Sequence, residues 1–239
     1  MGRFRRYRTA WSRHHRSGGF GVHSPFAFHF VQCVLSERWP YYAYSRIAQW
    51  RTIAKAKSGK RWRHHALISL SDAKLLFRIA NYFNPGHILV VGTRYGVSAA
   101  SVKAVSTRST LYLFSPHFSS SAPQQTLLMP LADRLRHFTD IKECLEAYSS
   151  AQTDSSAPFV LINEISDEME YNAMKSAIIP IVNGQGVVVM RNLHTCKLAV
   201  RLWGDCLANA HYGQTYTNEK IGIFIANPKL QLEHFSVWL

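Results

Sequence analysis

The sequence predicts an α/β protein whose mostly parallel sheet is covered by helices on both faces. Apolar strand-like runs alternate with helical patterns from residue 71 onward, and the runs at 159–162 and 187–190 are apolar at every position. Such strands are typical of a parallel sheet that is buried on both faces. Another apolar strand, at 88–91, leads into a glycine turn and then a helix, the unit at which these sheets bind nucleotides.

Seven strands and five intervening helices account for the chain beyond residue 85. The predicted strands lie near 88–91, 110–115, 136–139, 158–163, 186–190, 213–217 and 221–226. The helices between them lie near 97–106, 124–134, 140–149, 168–179 and 196–209. Only a short turn separates the last two strands, too short for a helical crossover. They should therefore form a terminal hairpin, with one strand antiparallel to the rest.

The chain ahead of the sheet predicts a helical extension. Ser24-Pro25 is a favourable helix start, with serine as N-cap and proline at the first helical position, and residues 41–57 form a second helix. A third helix, capped by Ser71, ends at Asn84-Pro85-Gly86. We therefore expect three parts: a basic N-terminal arm at 1–20, a helical extension packing on the domain at 21–70, and an α/β domain at 71–239.

The positive charge is concentrated at the front of the chain. Residues 1–65 hold fourteen lysines and arginines against one acid, Glu37, whereas residues 66–239 are close to neutral. Within the arm, Phe4, Tyr7 and Trp11 alternate with arginines at helical spacing. This pattern suits contact with a polyanion, either nucleic acid or an anionic membrane surface. A solubilising tail is the alternative interpretation of the same residues.

Cysteine usage and hydropathy favour a cytoplasmic protein. Four widely spaced cysteines include no C-x-x-C pair, which is typical of unpaired thiols in a reducing compartment. No apolar run approaches the ~20 residues of a membrane-spanning helix. The arginine-rich start lacks the apolar segment of a secretory signal, although it is similar to a mitochondrial transit peptide.

The glycine turn and the segments ahead of it resemble a known family. The turn Gly92-Thr93-Arg94-Tyr95-Gly96-Val97-Ser98 is similar to the G-T-x-x-G-x-S turn of small O-methyltransferases. The segment His23-Ser24-Pro25-Phe26-Ala27-Phe28 resembles the H-S-P-F-x-F segment of methyltransferase-like proteins of Bacteroidota. The resemblance implies a Rossmann-like class I fold with S-adenosylmethionine (SAM) as cofactor. It places the cofactor-binding residues at Gly92, Thr93, Gly96, Ser98, Ser115 and Asn163.

The sequence departs from this family where the cofactor would bind. No Asp or Glu lies between Asp72 and Asp133, so Ser115 stands where the family has the acid that holds the ribose. Asn163 replaces the aspartate that ends strand four. Losing a charged ribose acceptor weakens binding by roughly 10²–10⁴-fold. We therefore expect a degenerate site with weak or absent SAM binding.

The residues after strand five show the same loss of carboxylates. Arg191 and Asn192 replace two acids, whereas His194 keeps the family's histidine and is the candidate catalytic base. Arg94, within the turn, suits a phosphate or carboxylate better than a positive sulfonium. Two functions stay open: a SAM-dependent methyltransferase with an undefined acceptor, and a non-catalytic protein that binds a polyanion through residues 1–65.

The acids after strand four allow two interpretations. Glu164, Asp167, Glu168 and Glu170 lie within seven residues of one another. Carboxylates in this region hold a divalent metal in some O-methyltransferases, but acids at a helix start also interact favourably with the helix dipole. We favour the helix start and expect no metal site.

Overall fold

The computed structural model describes residues 24–59, 67–118, 121–152 and 157–237. The predicted basic arm at 1–20, with its stripe of Phe4, Tyr7 and Trp11, lies outside these residues, as does most of the basic segment at 58–65. Within the described residues, no helix is both long and apolar enough to cross a membrane.

Helices flank the sheet and also precede it. Their bounds are α1 Pro25–Phe30, α2 Tyr44–Lys57, α3 Leu70–Phe83, α4 Val97–Lys103, α5 Ala122–Leu128, α6 Ile141–Ala151, α7 Glu168–Val182 and α8 Lys197–Asn209. A π-helical turn at Val31–Leu35 continues α1, and a 3₁₀ segment at Met129–Arg134 continues α5. The helix predicted near 124–134 is therefore α5 followed by this tighter segment.

The strands form one mostly parallel sheet. Their bounds are β1 His87–Val91, β2 Thr110–Phe114, β3 Leu135–Phe138, β4 Phe159–Ile162, β5 Gly186–Met190, β6 Gln214–Thr217, β7 Gly222–Ala226 and β8 Glu233–Ser236. Their order across the sheet is β3-β2-β1-β4-β5-β7-β6-β8. Strand β7 is antiparallel to both β5 and β6, which confirms the predicted hairpin. Strands β1, β2 and β4 share one direction, so their carboxyl ends meet at one edge.

The expected count of seven strands was wrong, because β8 adds an eighth. It pairs parallel with β6 at the end of the sheet, with Tyr216 opposite Phe235. Its four residues, Glu233–Ser236, are only partly buried or exposed. Because its residues are not fully buried, β8 lacks the run of apolar residues by which the central strands are recognised.

Alternate residues of the central strands enter two separate cores. Val90, Leu161 and Val189 face the core shared with α1 to α4, whereas Val91 and Ile162 face the core beneath α6 to α8. The predicted core positions are buried, with exposed fractions between 0% and 4%: Val90, Val91, Phe114, Leu161, Ile162, Val188 and Val189. A sheet covered on both faces explains why its strands are apolar throughout.

Local capping sets where the helices begin. Ser24 is the N-cap of α1, as predicted, and its Oγ accepts a hydrogen bond from the backbone N–H of Ala27 at 3.3 Å. The predicted cap of α3 was wrong by two residues: Ser69, not Ser71, accepts from the N–H of Asp72 at 3.0 Å. Both serines lie near the helix start, but only Ser69 has the extended backbone that a capping residue requires.

The helices before β1 pack against the sheet-bearing part of the chain. Arg78 in α3 donates from Nε to the carbonyl of Val34 at 2.6 Å and from Nη2 to that of Leu35 at 3.1 Å, which satisfies carbonyls at the end of the first helical segment. At the far end of the sheet, the rings of Phe30 and Tyr216 lie 4.9 Å apart between centroids. Aromatic packing and the charged donor of Arg78 thus hold the helical extension against the rest of the chain.

Candidate functional site

The glycine turn lies between β1 and α4, at the carboxyl edge of the parallel strands. Gly92 and Gly96 both have positive φ, at 67° and 82°, a backbone region that favours glycine. Thr93 and Ser98 are buried, and their hydroxyl oxygens lie 3.1 Å apart. Thr93 Oγ1 also accepts from the N–H of Gly96 at 3.1 Å. Four predicted cofactor-binding residues therefore lie together, but the two hydroxyls bind each other and the turn.

Both glycines are in close contact with other parts of the chain. A Cβ at Gly92 would lie 2.8 Å from Cγ of Glu164, which follows β4. A Cβ at Gly96 would lie 3.2 Å from Cα of Gln124, in the first turn of α5. In a nucleotide-binding turn, glycine lets the backbone approach the ligand. Here the same freedom lets the backbone approach Glu164 and α5.

Gln124 fills the space between the ends of β1 and β2. Its side-chain amide donates from Nε2 to the carbonyl of Thr93 and, at 3.3 Å, to that of Arg94. Its Oε1 accepts from Oγ of Ser115 at 3.0 Å. Gln124 is only 2% exposed, so these contacts are shielded from water. Ser115, the predicted ribose-side residue, is thus engaged by a side chain of the protein.

Gln124 was not among the predicted site residues, although the sequence contains a signal for it. Ser121 is the N-cap of α5, with Pro123 in the first turn, and this pattern of serine and proline marks a helix start. Gln124 and Gln125 are the first amide side chains after β2, in the stretch that lacks acids. A glutamine in the first turn of a helix that follows the ribose-side strand indicates a neutral side chain at this edge.

Asn163 joins the ends of β1, β4 and β5. Its Nδ2 donates to the carbonyl of Gly92 at 2.5 Å, and its Oδ1 accepts from Nη1 of Arg191 at 2.9 Å. The Nδ2 of Asn192, a residue in left-handed conformation, donates to the backbone carbonyl of Asn163 at 2.9 Å. Asn163 therefore links the ends of three strands, and both the donor and the acceptor of its side-chain amide are hydrogen-bonded within the protein.

The acids after β4 are also engaged within the protein. Glu164 forms an ion pair with Arg94 at 2.7 Å, and Glu168 forms one with Arg201 at 2.9 Å. Asp167 and Glu170 make a reciprocal cap at the start of α7, where each accepts a backbone N–H of the segment 166–170. Burial raises the pKa of Glu170 above its ordinary range. No group of three or more His, Cys, Asp or Glu among the described residues has a metal-binding arrangement.

His194 lies apart from these contacts. It is exposed in the turn after β5 and makes no hydrogen bond to any residue that the structure describes. The cavity at the glycine turn is lined by its neighbours Arg191 and Asn192, and not by His194. The structure gives this histidine neither an orienting partner nor a position in the cavity wall.

The cavity at this edge is small, with a volume of about 50 Å³. Polar side chains from the turn and from the ends of β4 and β5 supply most of its wall, and Leu67 and Ile68 close one side. Pockets that hold cofactor-sized ligands typically measure about 300–1,000 Å³. This one has room for a few water-sized groups.

Comparison with proteins of known structure identifies the fold. No family model matches the sequence, and no curated protein matches it. A SAM-bound O-methyltransferase of tomaymycin synthesis from Streptomyces achromogenes superposes with a TM-score of 0.51 at 16% identity, over 79% of this chain and 91% of that one. An O-methyltransferase from Bacillus cereus in complex with SAH gives 0.53 at 14% identity, over 81% and 96%. The fold is that of the class I methyltransferases.

A third solved structure supports the same assignment. A methyltransferase from Geobacter sulfurreducens superposes with a TM-score of 0.52 at 15% identity, covering 82% of this chain and 94% of that one. The predicted Rossmann-like methyltransferase fold is therefore confirmed. Identities of this size establish the fold, whereas the chemistry of the site depends on the side chains present.

Proposed function

We propose that this chain is a methyltransferase-fold protein whose SAM site has been closed by its own side chains, and that it does not transfer methyl groups. The observation that carries this proposal is Gln124. It is buried between the glycine turn and Ser115, and it hydrogen-bonds both of them. For a nucleoside to lie along this edge, α5 would have to move away and these bonds would have to break.

The charges at the site also fit SAM poorly. Arg94 and Arg191 line the cavity with Glu164, which is the only acid among the described residues of its wall and is already paired with Arg94. SAM carries a positive sulfonium, which two arginines repel. Neither Ser115 nor Asn163 supplies the charged acceptor that a ribose diol binds most strongly. The residues present therefore do not fit the cofactor.

Reopening the site tests this proposal. The Ser115→Glu variant restores an acid after β2 but leaves Gln124 in place, so SAM affinity should stay close to that of the wild type. The double variant Ser115→Glu/Gln124→Ala restores the acid and also removes the obstructing amide. It should bind SAM about tenfold or more tightly than Ser115→Glu alone, because a charged hydrogen bond contributes about 1.5–3 kcal/mol.

A matched control lies on the same helix. Thr126 is exposed on α5, and its hydroxyl bonds only within the helix, to the carbonyl of Ala122 at 2.8 Å. The Ser115→Glu/Thr126→Ala double variant should therefore behave as Ser115→Glu alone in calorimetric titration. Equal SAM affinity in the Gln124 and Thr126 double variants would show that Gln124 does not close the site.

A second candidate function is binding of single-stranded nucleic acid by the basic region at 1–65. The described part of this region contains a cavity of about 660 Å³ whose wall includes Tyr42, Arg46 and Gln49. Arg46 lies over the ring of Trp50, 5.0 Å from its centroid. Trp39 is 76% exposed. Trp50 itself is buried, but the exposed ring of Tyr42 lies in the same cavity wall as Arg46, and such a pair suits stacking on a base and neutralisation of a phosphate.

Fluorescence anisotropy with a labelled single-stranded RNA tests this second function. The Arg46→Gln variant should bind more weakly than the wild type at low salt, whereas Arg108→Gln, on the exposed segment after α4, should not differ from it. Binding of anionic vesicles without binding of RNA would assign the basic region to a membrane surface instead.

A further inference from the structure

Arg191 is a cation without an anionic partner in the part of the chain that the structure describes. It directly follows β5, and its Nε is buried without a hydrogen-bond partner. Its Nη1 donates to Oδ1 of Asn163 at 2.9 Å, but that acceptor is a neutral amide. Among the described residues, Arg191 forms no ion pair. Burial lowers the pKa of its guanidinium. A partly buried cation whose N–H donor has no acceptor lowers the stability of the fold, unless an anion or an ordered water accepts a hydrogen bond from that donor.

No carboxylate among the described residues forms an ion pair with Arg191. Glu164 and Asp72 act on Arg191 through their charge, but neither forms an ion pair with it. Oε2 of Glu164 instead accepts from Arg94 at 2.7 Å. Thirteen of the fourteen acids of the chain lie in the described residues, and Asp154 is the exception. The charged residues that the described wall of the cavity contains are thus two arginines and one carboxylate, which gives this wall a net positive charge.

The size and lining of the cavity suit one small oxyanion. One water needs about 10–15 Å³ of such space, so about 50 Å³ holds three or four oxygen-sized groups. The wall also includes Thr93, Ser98 and Asn192, which are polar residues without charge. A nucleoside exceeds this space, whereas a tetrahedral oxyanion does not.

We propose that the cavity at the glycine turn binds a single phosphate-type oxyanion, with Arg191 as its principal donor. The inference rests on the proposed function, because it requires that the same edge does not hold SAM. A guanidinium presents parallel N–H groups that match two oxygens of a phosphate. Arg94 supplies a second cation: its side chain is 43% exposed, and it can exchange its bond to Glu164 for one to the anion.

The phosphate group can come from two sources, a free inorganic ion or the terminal phosphate of a nucleotide chain. Calorimetric titration of the full-length protein in a chloride buffer tests both, with inorganic phosphate in one arm and a 5′-phosphorylated dinucleotide in the other. The same dinucleotide with a 5′-hydroxyl is the matched ligand control. Binding in either phosphate arm with a 1:1 ratio, and none of the hydroxyl form, supports the proposal and identifies the source.

Variants test whether Arg191 is the donor. Arg191→Gln should weaken phosphate binding at least tenfold, and Arg94→Gln should weaken it by less. Arg191→Lys keeps the charge but loses the paired donors, so it should also bind several-fold more weakly while retaining the fold. Arg201→Gln, at a surface ion pair with Glu168, should bind as the wild type does.

Three results would overturn the inference: no binding in either phosphate arm up to 10 mM ligand, wild-type affinity in both Arg191 variants, or equal binding of the phosphorylated and hydroxyl dinucleotides. SAM titration of the same samples separates this inference from the proposed function. Tight SAM binding refutes the closed site, whereas absence of both SAM and phosphate binding refutes only the oxyanion site.

Discussion

The side chain of Gln124 donates a hydrogen bond to the carbonyl of Thr93, and this bond joins α5 to the glycine turn. The same amide also accepts a hydrogen bond from Ser115, so these polar groups are bonded within the protein. The fold keeps the strand, turn and helix of a nucleotide site. Its polar groups at this edge are largely satisfied by the protein, and Arg191 Nε is the buried exception.

Removing a large side chain from the centre of the sheet should destabilise the protein strongly. Leu161 is fully buried between β1 and β5, with 0% exposure. Leu161→Ala should lower the free energy of unfolding by about 2–5 kcal/mol, measured by urea denaturation. Leu232→Ala, at a residue that is 37% exposed, should change it by about 0.5 kcal/mol or less. Similar losses for both variants would contradict the assigned core.

Arg78 should be needed for the extension to pack on α3. Its guanidinium donates to the carbonyls of Val34 and Leu35 and, from Nη1, to the hydroxyl of Tyr44 at 3.1 Å. Arg78→Met keeps an apolar stem but leaves these acceptors without their donor, so stability should fall by about 2–4 kcal/mol. Arg108→Met, on the exposed segment after α4, is the control. An unchanged denaturation midpoint for Arg78→Met would show that the hydrogen bonds of Arg78 are not needed for stability.

Two buried thiols predict a loss of stability in alkali. Burial raises the pKa of Cys144 and of Cys206 to about 12. In the unfolded chain, thiols ionise near pH 8.5. Between these values the unfolded state binds fewer protons than the folded state, so stability falls as pH rises from about 8.5 to about 12.

The double variant Cys144→Ala/Cys206→Ala isolates this effect. Each thiol contributes a slope of about 1.4 kcal/mol per pH unit once its unfolded form is ionised, so removing both should flatten the decline above pH 9. The variant with Cys33→Ala, at an exposed thiol, should keep the wild-type slope. If the free energy of unfolding, measured by denaturation from pH 8 to 10.5, falls with the same slope in the wild type and the double variant, the prediction is refuted.

Deleting residues 1–20 should separate folding from polyanion binding. This segment carries six arginines, whereas the helix that begins at Pro25 and packs through Phe30 remains. The truncated protein should unfold at the same temperature but lose most of its affinity for RNA at low salt. For the full-length protein, affinity should fall steeply as salt rises, by a log–log slope of about 0.7 per phosphate contact on a single strand. Equal binding by both proteins would place the contact elsewhere.

The buried parts of the fold were predictable from sequence because burial leaves a simple signal. Val188 and Ile162 belong to strands that are apolar on both faces, and a short turn fixes the β6–β7 hairpin. Strand β8 gave no such signal, since its residues are partly buried or exposed. The cap of α3 was missed by two residues because Ser69 and Ser71 are chemically alike and differ only in their backbone conformation.

The lack of acids at the site could be predicted from the sequence, whereas the hydrogen bonds between its residues could not. The absence of an acid near Ser115 can be read directly from the chain, and it indicates a changed site. That Gln124 bonds Ser115, or that Asn163 bonds Arg191, depends on how three strand ends meet in space. Hydropathy and spacing do not encode such long-range polar pairs. The orphaned Nε of Arg191 is likewise a property of packing, visible only once its neighbours are placed.

Calorimetric titration of the wild-type, full-length protein with SAM, and in parallel with S-adenosylhomocysteine, tests the central claim most directly. A closed site without a charged ribose acceptor should give a dissociation constant above roughly 100 μM for both, because the loss is of order 10²-fold or more. Low-micromolar binding of either compound, or cofactor that copurifies with the protein, would contradict the closed site and support a methyltransferase activity.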